Sequence, residues 1–338
     1  MNNNLKNSKV NKINHKQKTN VMKENGIDFL DSLSTHFLIC SEKIPGKGED
    51  CGFEAYTQQA GVIGVFDGCG GLGARVCQNA QDKTEAYLAA RAVGSAVRTW
   101  FYLNHVTDEN WNADLLKEII VSKLKVCEEN SGESQIKLKG SLIRPFPSTV
   151  ALVTFRKVAD GILSKHIWAG DSRTYVVDRY GLGQVSIDDI KGEDAMSNLS
   201  KDGALTNVVS ADSNFVLHSK ELMLKEPCIV MSATDGCFGY VSSPMEFEKM
   251  ILESLIMSNS VSEWKKTLQA DIANRAGDDQ TISVAVFGFS SFEDTQKYYD
   301  ERYKWVCACV NMFDNANTDQ KQQLWQEYKK DYYRFIGE

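Results

Sequence analysis

Three strand-like segments follow one another in the middle of the chain, at residues 149–158, 163–169 and 173–178. Turn signals at Asp160-Gly161 and Tyr180-Gly181 punctuate this block. Connections this short join antiparallel neighbours, whereas parallel strands need long crossovers. The block therefore predicts antiparallel sheet, and the rest of the fold has to be built around it.

Helix-like segments lie on both sides of this block. The first is predicted to begin with Asp82 as N-cap and Glu85 three residues later. Its apolar residues repeat at helical spacing, at Ala86, Ala90, Val93, Val97 and Trp100. A second helix follows it, and two more are predicted to begin at Ser243 and Ser260. With short apolar strands at 62–66, 229–231 and 282–286, this order predicts an α+β fold of helices packed on antiparallel sheets.

Composition disfavours two classes of function, nucleic-acid binding and insertion in a membrane. A net charge of −7 disfavours nucleic-acid binding, which usually needs a basic face. No apolar run approaches the roughly 18 residues that span a bilayer, so no membrane segment is expected. The nine cysteines lack metal-type spacing, and the N-terminus lacks the apolar core of a signal peptide. These features predict a cytoplasmic protein.

Three regions differ in character along the chain. Residues 1–27 are rich in Asn and Lys and are predicted to be a disordered tail. Residues 28–290 carry the alternating strands and helices of the main domain. Residues 291–338 are helical, charged and aromatic, which favours a helical hairpin packed on the domain. A partner-binding extension is the alternative for these last helices.

Carboxylates stand at the ends of several predicted strands. Glu49 and Asp50 precede a strand-like segment, and Asp67-Gly68 ends the run GVIGVF. The other two positions are Asp235-Gly236, after IVMSAT, and Asp278-Asp279, before QTISVAVF. A single Asp-Gly is usually a turn. Four such positions together indicate a shared acidic edge that would hold hard cations such as Mg²⁺ or Mn²⁺.

Two cations held there suit phosphoester hydrolysis. Such a pair activates a water and neutralises the oxygens of a phosphoryl group during in-line attack. The site then needs no Ser, Cys or His nucleophile, and no arrangement of that kind is evident. His166, next to Ile167 and Trp168, is expected to lie on a strand surface.

At these residues the chain resembles the metal-dependent protein phosphatase family (PPM, type 2C), in its bacterial form. The resemblance spans residues 36–289 and consists of seven motifs in the family's order: GED at 48–50, VFDGCGG at 65–71, PSTVALV at 147–153, AGDSRTYVV at 169–177, LTNVVSAD at 205–212, SATDGCFG at 232–239 and DDQT at 278–281. It implies a central β-sandwich of two antiparallel sheets flanked by helix pairs, with a C-terminal helical extension. It also implies hydrolysis of phosphoserine and phosphothreonine in protein substrates.

The resemblance implies a role for each acidic residue. Asp67 would bridge two cations, Mn²⁺ or Mg²⁺, aided through water by the Gly68 carbonyl. Asp235 and Asp278 would hold the first cation and Glu49 the second. Asp67, Glu49 and the supporting Asp50 form the expected catalytic set. Asp171 either contributes to a third, weaker cation site or fixes its hairpin, and Asp279 is expected to support rather than to bind metal.

Two positions depart from the family pattern. Cys69 stands where many members carry a histidine proposed as general acid. The family's phosphate-binding arginine falls on Pro45, so Lys43 or Lys47 would have to supply that charge without a guanidinium fork. The missing arginine, together with the aromatic C-terminal extension, keeps open a pseudophosphatase that binds phosphoproteins without turnover. Hydrolysis of a small phosphorylated metabolite is a third interpretation, and thiols near the site suggest redox sensitivity.

Overall fold

The computed structural model describes residues 28–105, 111–131, 144–191, 194–198 and 203–337. The predicted tail, 1–27, lies outside the described residues. In chain order the strands are β1 (Leu33–Ser41), β2 (Cys51–Tyr56), β3 (Ala60–Phe66), β4 (Val76–Cys77), β5 (Lys83–Thr84), β6 (Val150–Val158), β7 (Gly161–Ala169), β8 (Arg173–Asp178), β9 (Gly181–Gln184), β10 (His218–Leu224), β11 (Cys228–Ala233) and β12 (Gln280–Phe287).

The helices pack outside these strands. They are α1 (Glu85–Asn104), α2 (Ala113–Asn130), α3 (Ala195–Asn198), α4 (Asp235–Phe238), α5 (Pro244–Ile256), α6 (Val261–Ala273), α7 (Phe292–Asp314) and α8 (Thr318–Tyr332), with short 3-10 turns at Phe29–Ser32 and Gln78–Ala80. None of the helices in the described residues combines the length and the apolar character needed to cross a bilayer.

Two five-stranded antiparallel sheets form the centre of the described chain. One has the strand order β1-β12-β11-β8-β9 and the other β10-β7-β6-β3-β2. Of the three consecutive middle strands, β6 and β7 pair antiparallel, but β8 lies in the other sheet. The block predicted from the sequence is therefore divided between the two sheets, because the chain passes from one to the other between β7 and β8. The predicted α+β class, with antiparallel sheets, flanking helices and a C-terminal helical extension, is confirmed.

The sheets face each other across a layer of apolar side chains. Ile63 and Val153 of one sheet pack here with Val176, Val230 and Ala285 of the other. The outer face of each sheet is covered by helices, α1 and α2 on one side and α5 to α8 on the other. β3, β11 and β12 are buried along their whole length because both of their faces are covered.

The start of α1 differs from the prediction. Its N-cap is Thr84, whose hydroxyl accepts a hydrogen bond from the Tyr87 amide at 3.1 Å. Asp82 has a left-handed φ of 57°, and Lys83 pairs with Cys77 in the β4–β5 ladder. The chain is therefore still extended where the helix was predicted to begin. The predicted apolar face of α1 is buried as expected.

His166 is also placed differently from the prediction. It is fully buried rather than exposed on the strand surface. Alternation along β7 puts it on the same face as Ile162, which packs between the two sheets. Its Nε2 lies 3.3 Å from the Ser164 hydroxyl, and its Nδ1 has no hydrogen-bond partner among the described residues. Burial lowers the pKa of His166 to about 3, so the ring is neutral in the fold.

The C-terminal helices α7 and α8 pack on the outer face of the first sheet. Tyr299, Val306, Trp325 and Tyr332 are buried in the same apolar cluster as the strands and α5. Arg302 forms an ion pair with the fully buried Glu248 of α5. The division of the chain at residue 290 stays a prediction, but these two helices share the main apolar core.

Candidate metal centre

A cleft of about 250 Å³ lies at one end of the two sheets. Its lining is acidic and rich in glycine, and it consists of Glu49, Asp67, Gly68, Cys69, Gly70, Gly71, Leu72, Leu205, Asp278 and Asp279. A larger cavity of about 490 Å³ lies between α7 and α8, away from these carboxylates. The acidic cleft is therefore the candidate site on chemical grounds, although it is the smaller of the two.

Strand register explains why the predicted carboxylates meet. In the second sheet Cys51 pairs with Phe66, so Asp50 and Asp67 leave the ladder side by side. In the first sheet Ala233 lies between Ile282 on one side and Arg173 on the other. The segments that carry Asp235, Asp278 and Asp171 therefore reach the same edge. Packing of the sheets face to face brings the two groups of carboxylates together.

The backbone of Asp67 is fixed from the segment that precedes β6. Its amide donates to the Thr149 hydroxyl at 3.0 Å, and its carbonyl accepts from the Thr149 amide at 2.7 Å. The Ser148 hydroxyl also donates to the Asp67 carbonyl, at 2.9 Å. The predicted PSTVALV motif thus supports the candidate bridging aspartate through its hydroxyl side chains.

Glycines allow close approach at two points around the cleft. A Cβ on Gly70 would lie 2.2 Å from Glu49 Oε2, inside van der Waals contact. A Cβ on Gly236 would lie 1.8 Å from the Asp279 carbonyl oxygen. Side chains at these positions would push Glu49, or the loop that carries Asp279, away from the cleft.

Glu49 is held from α1. The Thr84 hydroxyl donates to Glu49 Oε1, and Arg91 donates to the carbonyls of Gly48 at 3.1 Å and Glu49 at 3.5 Å. Burial raises the pKa of Glu49, and the charges of nearby Asp279 and Asp278 raise it further. The Thr84 hydrogen bond opposes this shift. Arg91 was not singled out from the sequence, because a cation on a helix carries no sign of what it contacts.

Asp278 and Asp279 are adjacent in sequence but have different surroundings. Asp279 accepts two backbone hydrogen bonds, from the Lys43 amide to Oδ1 at 2.8 Å and from the Glu49 amide to Oδ2 at 2.7 Å. Asp278 is exposed at the cleft and accepts a bond from the Asp279 amide at 2.8 Å. This geometry favours Asp278 as the ligand and Asp279 as the support of the Glu49 loop.

The carboxylates that are most deeply buried repel one another. Burial first, and then the charges of Asp50, Asp235, Asp171 and Asp278, hold the pKa of Asp67 well above its usual range. Burial and Asp235 likewise raise the pKa of Asp171 to about 7. A nearby cation would favour the charged forms of these groups.

Asp50 and Asp235 lie behind the lining of the cleft. The Thr234 hydroxyl donates to Asp50 Oδ2 at 2.8 Å, and Asp235 is the first residue of α4. Burial, opposed by this hydrogen bond and reinforced by Asp235, raises the pKa of Asp50 to about 7. Burial and the charge of Asp278 raise the pKa of Asp235 as well.

The donor set fits hard divalent cations by its chemistry. All of the clustered side chains offer carboxylate oxygens, which Mg²⁺ and Mn²⁺ prefer. Their raised pKa values reflect like charges that a cation would offset. Within the described part of the chain, no three His, Cys, Asp or Glu side chains meet the geometric criteria of a metal site.

The similarity of this chain to known proteins is found in its structure and not in its sequence. No protein-family model matches the chain, and no curated protein matches it in sequence. The serine/threonine phosphatase Stp1 of Staphylococcus aureus matches with 17% identity and a TM-score of 0.57, over 76% of this chain and 98% of that one. The chain has the PPM phosphatase fold. A bacterial serine phosphatase matches with 18% identity and a TM-score of 0.55, over 76% and 99% of the two chains.

A third PPM structure gives the same result. The PPM Ser-Thr phosphatase MsPP of Mycobacterium smegmatis matches with 13% identity and a TM-score of 0.51, over 76% of this chain and 100% of that one. At such identities the likeness is one of fold. Chemistry at the acidic end of this PPM fold has to follow from the residues present there.

The predicted phosphate-binding lysines do not line the cleft of this PPM fold. Lys43 Nζ donates to the Gly277 carbonyl, and Lys47 is exposed. The cysteine at the family's histidine position is buried, and burial followed by the charge of Asp67 raises the pKa of the Cys69 thiol well above its usual range. A buried thiol with a raised pKa is a poor proton donor and a poor target for oxidation.

Proposed function

We propose that this chain is a metal-dependent protein serine/threonine phosphatase that hydrolyses phosphomonoesters. The observation that carries the proposal is the convergence of Glu49, Asp67, Asp235 and Asp278 at one edge of the sandwich. Two divalent cations, Mn²⁺ or Mg²⁺, would supply a water of lowered pKa and neutralise the phosphoryl oxygens. Asp67 would lie between the two, with Asp235 and Asp278 on one side and Glu49 with the Gly68 carbonyl on the other.

The remaining residues act by positioning. Thr149 and Ser148 fix the backbone of Asp67, and Asp279 fixes the loop that presents Glu49. Leu72 and Leu205 line the cleft and would contact a bound phosphoester. Because the Cys69 thiol is a poor acid, the leaving alkoxide takes its proton from water. Asp171 supports a third, weaker cation site or holds the turn before β8.

The substrates are phosphoserine and phosphothreonine in proteins. The cleft, of about 250 Å³, would admit a phosphorylated side chain or a small phosphorylated metabolite, so its volume does not separate these two classes. A panel of phosphopeptides and small phosphorylated metabolites separates these classes by their kcat/KM.

The test is hydrolysis of an aryl phosphate and a phosphothreonine peptide with Mn²⁺, Mg²⁺ or EDTA. We expect turnover with metal only, reduced by at least about 100-fold in Asp67→Asn and Asp235→Asn. Asp160→Asn is the matched control. Asp160 lies in the exposed Asp-Gly turn between β6 and β7, at the opposite end of these strands from the cleft. Undiminished turnover in EDTA, or in Asp67→Asn, would overturn the proposal.

A second candidate is a pseudophosphatase that binds phosphoproteins. The observation that favours it is the absence of Lys and Arg from the cleft lining among the described residues. No turnover with any metal from folded wild-type protein, together with binding of the phosphothreonine peptide, would select this function.

A further inference from the structure

A buried polar chain runs from the C-terminal helix α8 toward the acidic cleft. Tyr332 of α8 is 1% exposed, and its hydroxyl donates to Gln184 Oε1 at 2.8 Å. Gln184 Nε2 in turn donates to the Ser186 carbonyl at 2.8 Å and to Asp188 Oδ1 at 3.1 Å. Every polar atom of the Gln184 side chain is therefore engaged, with the oxygen facing α8 and the nitrogen facing Asp188.

Asp188 connects Gln184 to Arg173, which lies at the start of β8. Arg173 Nη2 donates to Asp188 Oδ2 at 2.6 Å, and Nε donates to Oδ1 at 2.9 Å. The guanidinium lies 4.2 Å from the ring centroid of Phe238 in α4, the helix that opens with Asp235. Arg173 thus touches the element that carries Asp235, and it stands two residues after Asp171.

Tyr332 supplies the donor to the buried oxygen of Gln184. The orientation of the amide is also fixed from the other end, because its nitrogen donates to Ser186 and Asp188. Without the Tyr332 hydroxyl, the oxygen would lose this donor while the nitrogen kept both acceptors. The cost of an unpaired buried oxygen favours a shift of the Gln184 side chain, which would loosen its hydrogen bond to Asp188 and so the support of Arg173.

A second set of contacts joins α8 to the segment after Asp188. Trp325 Nε1 donates to Asp194 Oδ2 at 2.9 Å, and the Ala195 amide donates to the Tyr333 hydroxyl at 2.6 Å. Burial would raise the pKa of Asp194, but the hydrogen bonds from Trp325 and Ser197 outweigh it and lower that pKa. The helix therefore holds this segment through charged as well as neutral hydrogen bonds.

The same segment is tied to the residue before Asp171. Asp189 Oδ2 accepts from the Gly170 amide at 3.0 Å, and the Asp189 amide donates to the Gly170 carbonyl at 2.9 Å. Gly170 has a φ of 98°, so this turn is held in a conformation that favours glycine. The turn bearing Asp171 is consequently fixed on one side by Asp189 and on the other by Arg173.

We propose that Tyr332 is a positioning residue for the acidic cleft, acting through Gln184 and the Arg173–Asp188 pair on Asp171 and Asp235. The C-terminal helix is then a working part of the site rather than a separable appendage. This inference rests on the proposed function, because positioning of Asp235 matters to metal binding.

The test compares two tyrosines of α8. Tyr332→Phe removes the hydroxyl that donates to Gln184. Tyr328→Phe is the matched control, since Tyr328 is equally buried and its hydroxyl donates to Glu248 of α5, away from the cleft. Mn²⁺ affinity is measured by isothermal titration calorimetry, and backbone amide exchange at Gly170 and Asp189 is followed in metal-free protein.

We expect Tyr332→Phe to weaken Mn²⁺ binding by about 2- to 30-fold, the range for coupling through a network of packed and hydrogen-bonded side chains. It should lower kcat at fixed Mn²⁺ while leaving the KM for aryl phosphate nearly unchanged, and it should speed exchange at Gly170 and Asp189. Tyr328→Phe should lower the melting temperature but change Mn²⁺ affinity less than about 2-fold.

The outcomes separate the two proposals. Wild-type protein that binds no Mn²⁺ and has no turnover would overturn the proposed function, and the role of Tyr332 in metal binding with it. Wild-type binding that is unchanged in Tyr332→Phe would overturn only this inference. Equal effects of both substitutions on Mn²⁺ affinity and amide exchange would also overturn it, because they would indicate a general loss of stability.

Discussion

Asp279→Asn probes how the loop that carries Glu49 is held. Its carboxylate accepts hydrogen bonds from the amides of Lys43 and Glu49, at 2.8 and 2.7 Å. Asparagine keeps one acceptor oxygen but turns an amino group toward the second amide, so one of the two bonds is lost. The substitution therefore loosens the loop without removing a side chain from the open surface of the cleft.

The expected magnitude follows from these contacts. A hydrogen bond to a charged acceptor contributes about 1.5–3 kcal/mol. Asp279 also repels Glu49 and Asp50, so loss of its charge offsets part of this. We expect the free energy of unfolding of metal-free Asp279→Asn to fall by about 1–2 kcal/mol. Mn²⁺ affinity should fall by about 10-fold, the low end for a group that supports a ligand, since Asp279 is expected to support rather than to bind.

Asp278→Asn is the matched control on the neighbouring residue. Asp278 is exposed and accepts one bond, from the amide of Asp279. Its charge repels Asp67 and Asp235, so the metal-free variant should be as stable as wild type or slightly more stable. Mn²⁺ binding should nevertheless be lost, because a proposed ligand is gone.

The assay is urea denaturation in EDTA, followed by tryptophan fluorescence, with Mn²⁺ titration of each folded variant. The reasoning would be refuted by the reverse pattern, in which Asp279→Asn loses Mn²⁺ and keeps its stability while Asp278→Asn keeps Mn²⁺. That result would make Asp279 the ligand and shift the register of the DDQT motif by one residue.

Two further predictions concern stability. Arg302→Met leaves the fully buried Glu248 without its ion-pair partner and should lower the free energy of unfolding by about 3–5 kcal/mol. The double variant Arg302→Met with Glu248→Leu should recover most of this loss. Equal urea midpoints for the single and the double variant would contradict the prediction. The pKa of His166 falls from 6.5 to about 3 on folding, so the unfolded chain binds the extra proton and stability is lost as pH falls below 6.5. Between pH 7 and 5 His166 alone contributes a loss of about 2 kcal/mol, opposite in sign to the contributions of Asp50 and Asp171. The stability of His166→Leu relative to wild type should therefore rise by about 2 kcal/mol from pH 7 to pH 5 in urea titrations, whereas that of the exposed control His36→Gln should not.

Local sequence patterns determined most of the elements. Hydrophobic period and capping residues located α5 and α6 at Ser243 and Ser260, and both serines cap their helices in the structure. The runs before Asp67 and Asp235 are buried strands because continuous apolar sequence suits strands covered on both faces. These features depend only on residues that are close in sequence, so they can be predicted from the sequence.

Long-range packing decided what the patterns left open. Asp278 and Asp279 of the DDQT motif both line the cleft, and Asp279 is held there by the amides of Lys43 and Glu49, more than two hundred residues away. The extended pairing of Lys83 moved the start of α1 to Thr84, and closure of the second sheet on the first buried His166.

The link from Tyr332 to the cleft is the clearest case of what sequence alone could not provide. Nothing in the local pattern around Tyr332 distinguishes it from Tyr328, because both lie on the buried face of one helix. Only the fold places one hydroxyl on Gln184 and the other on Glu248. The sequence by itself determined which residues could carry the chemistry, and the tertiary structure decided which of them meet, since hydrogen-bond partners are chosen by distance in space and not along the chain.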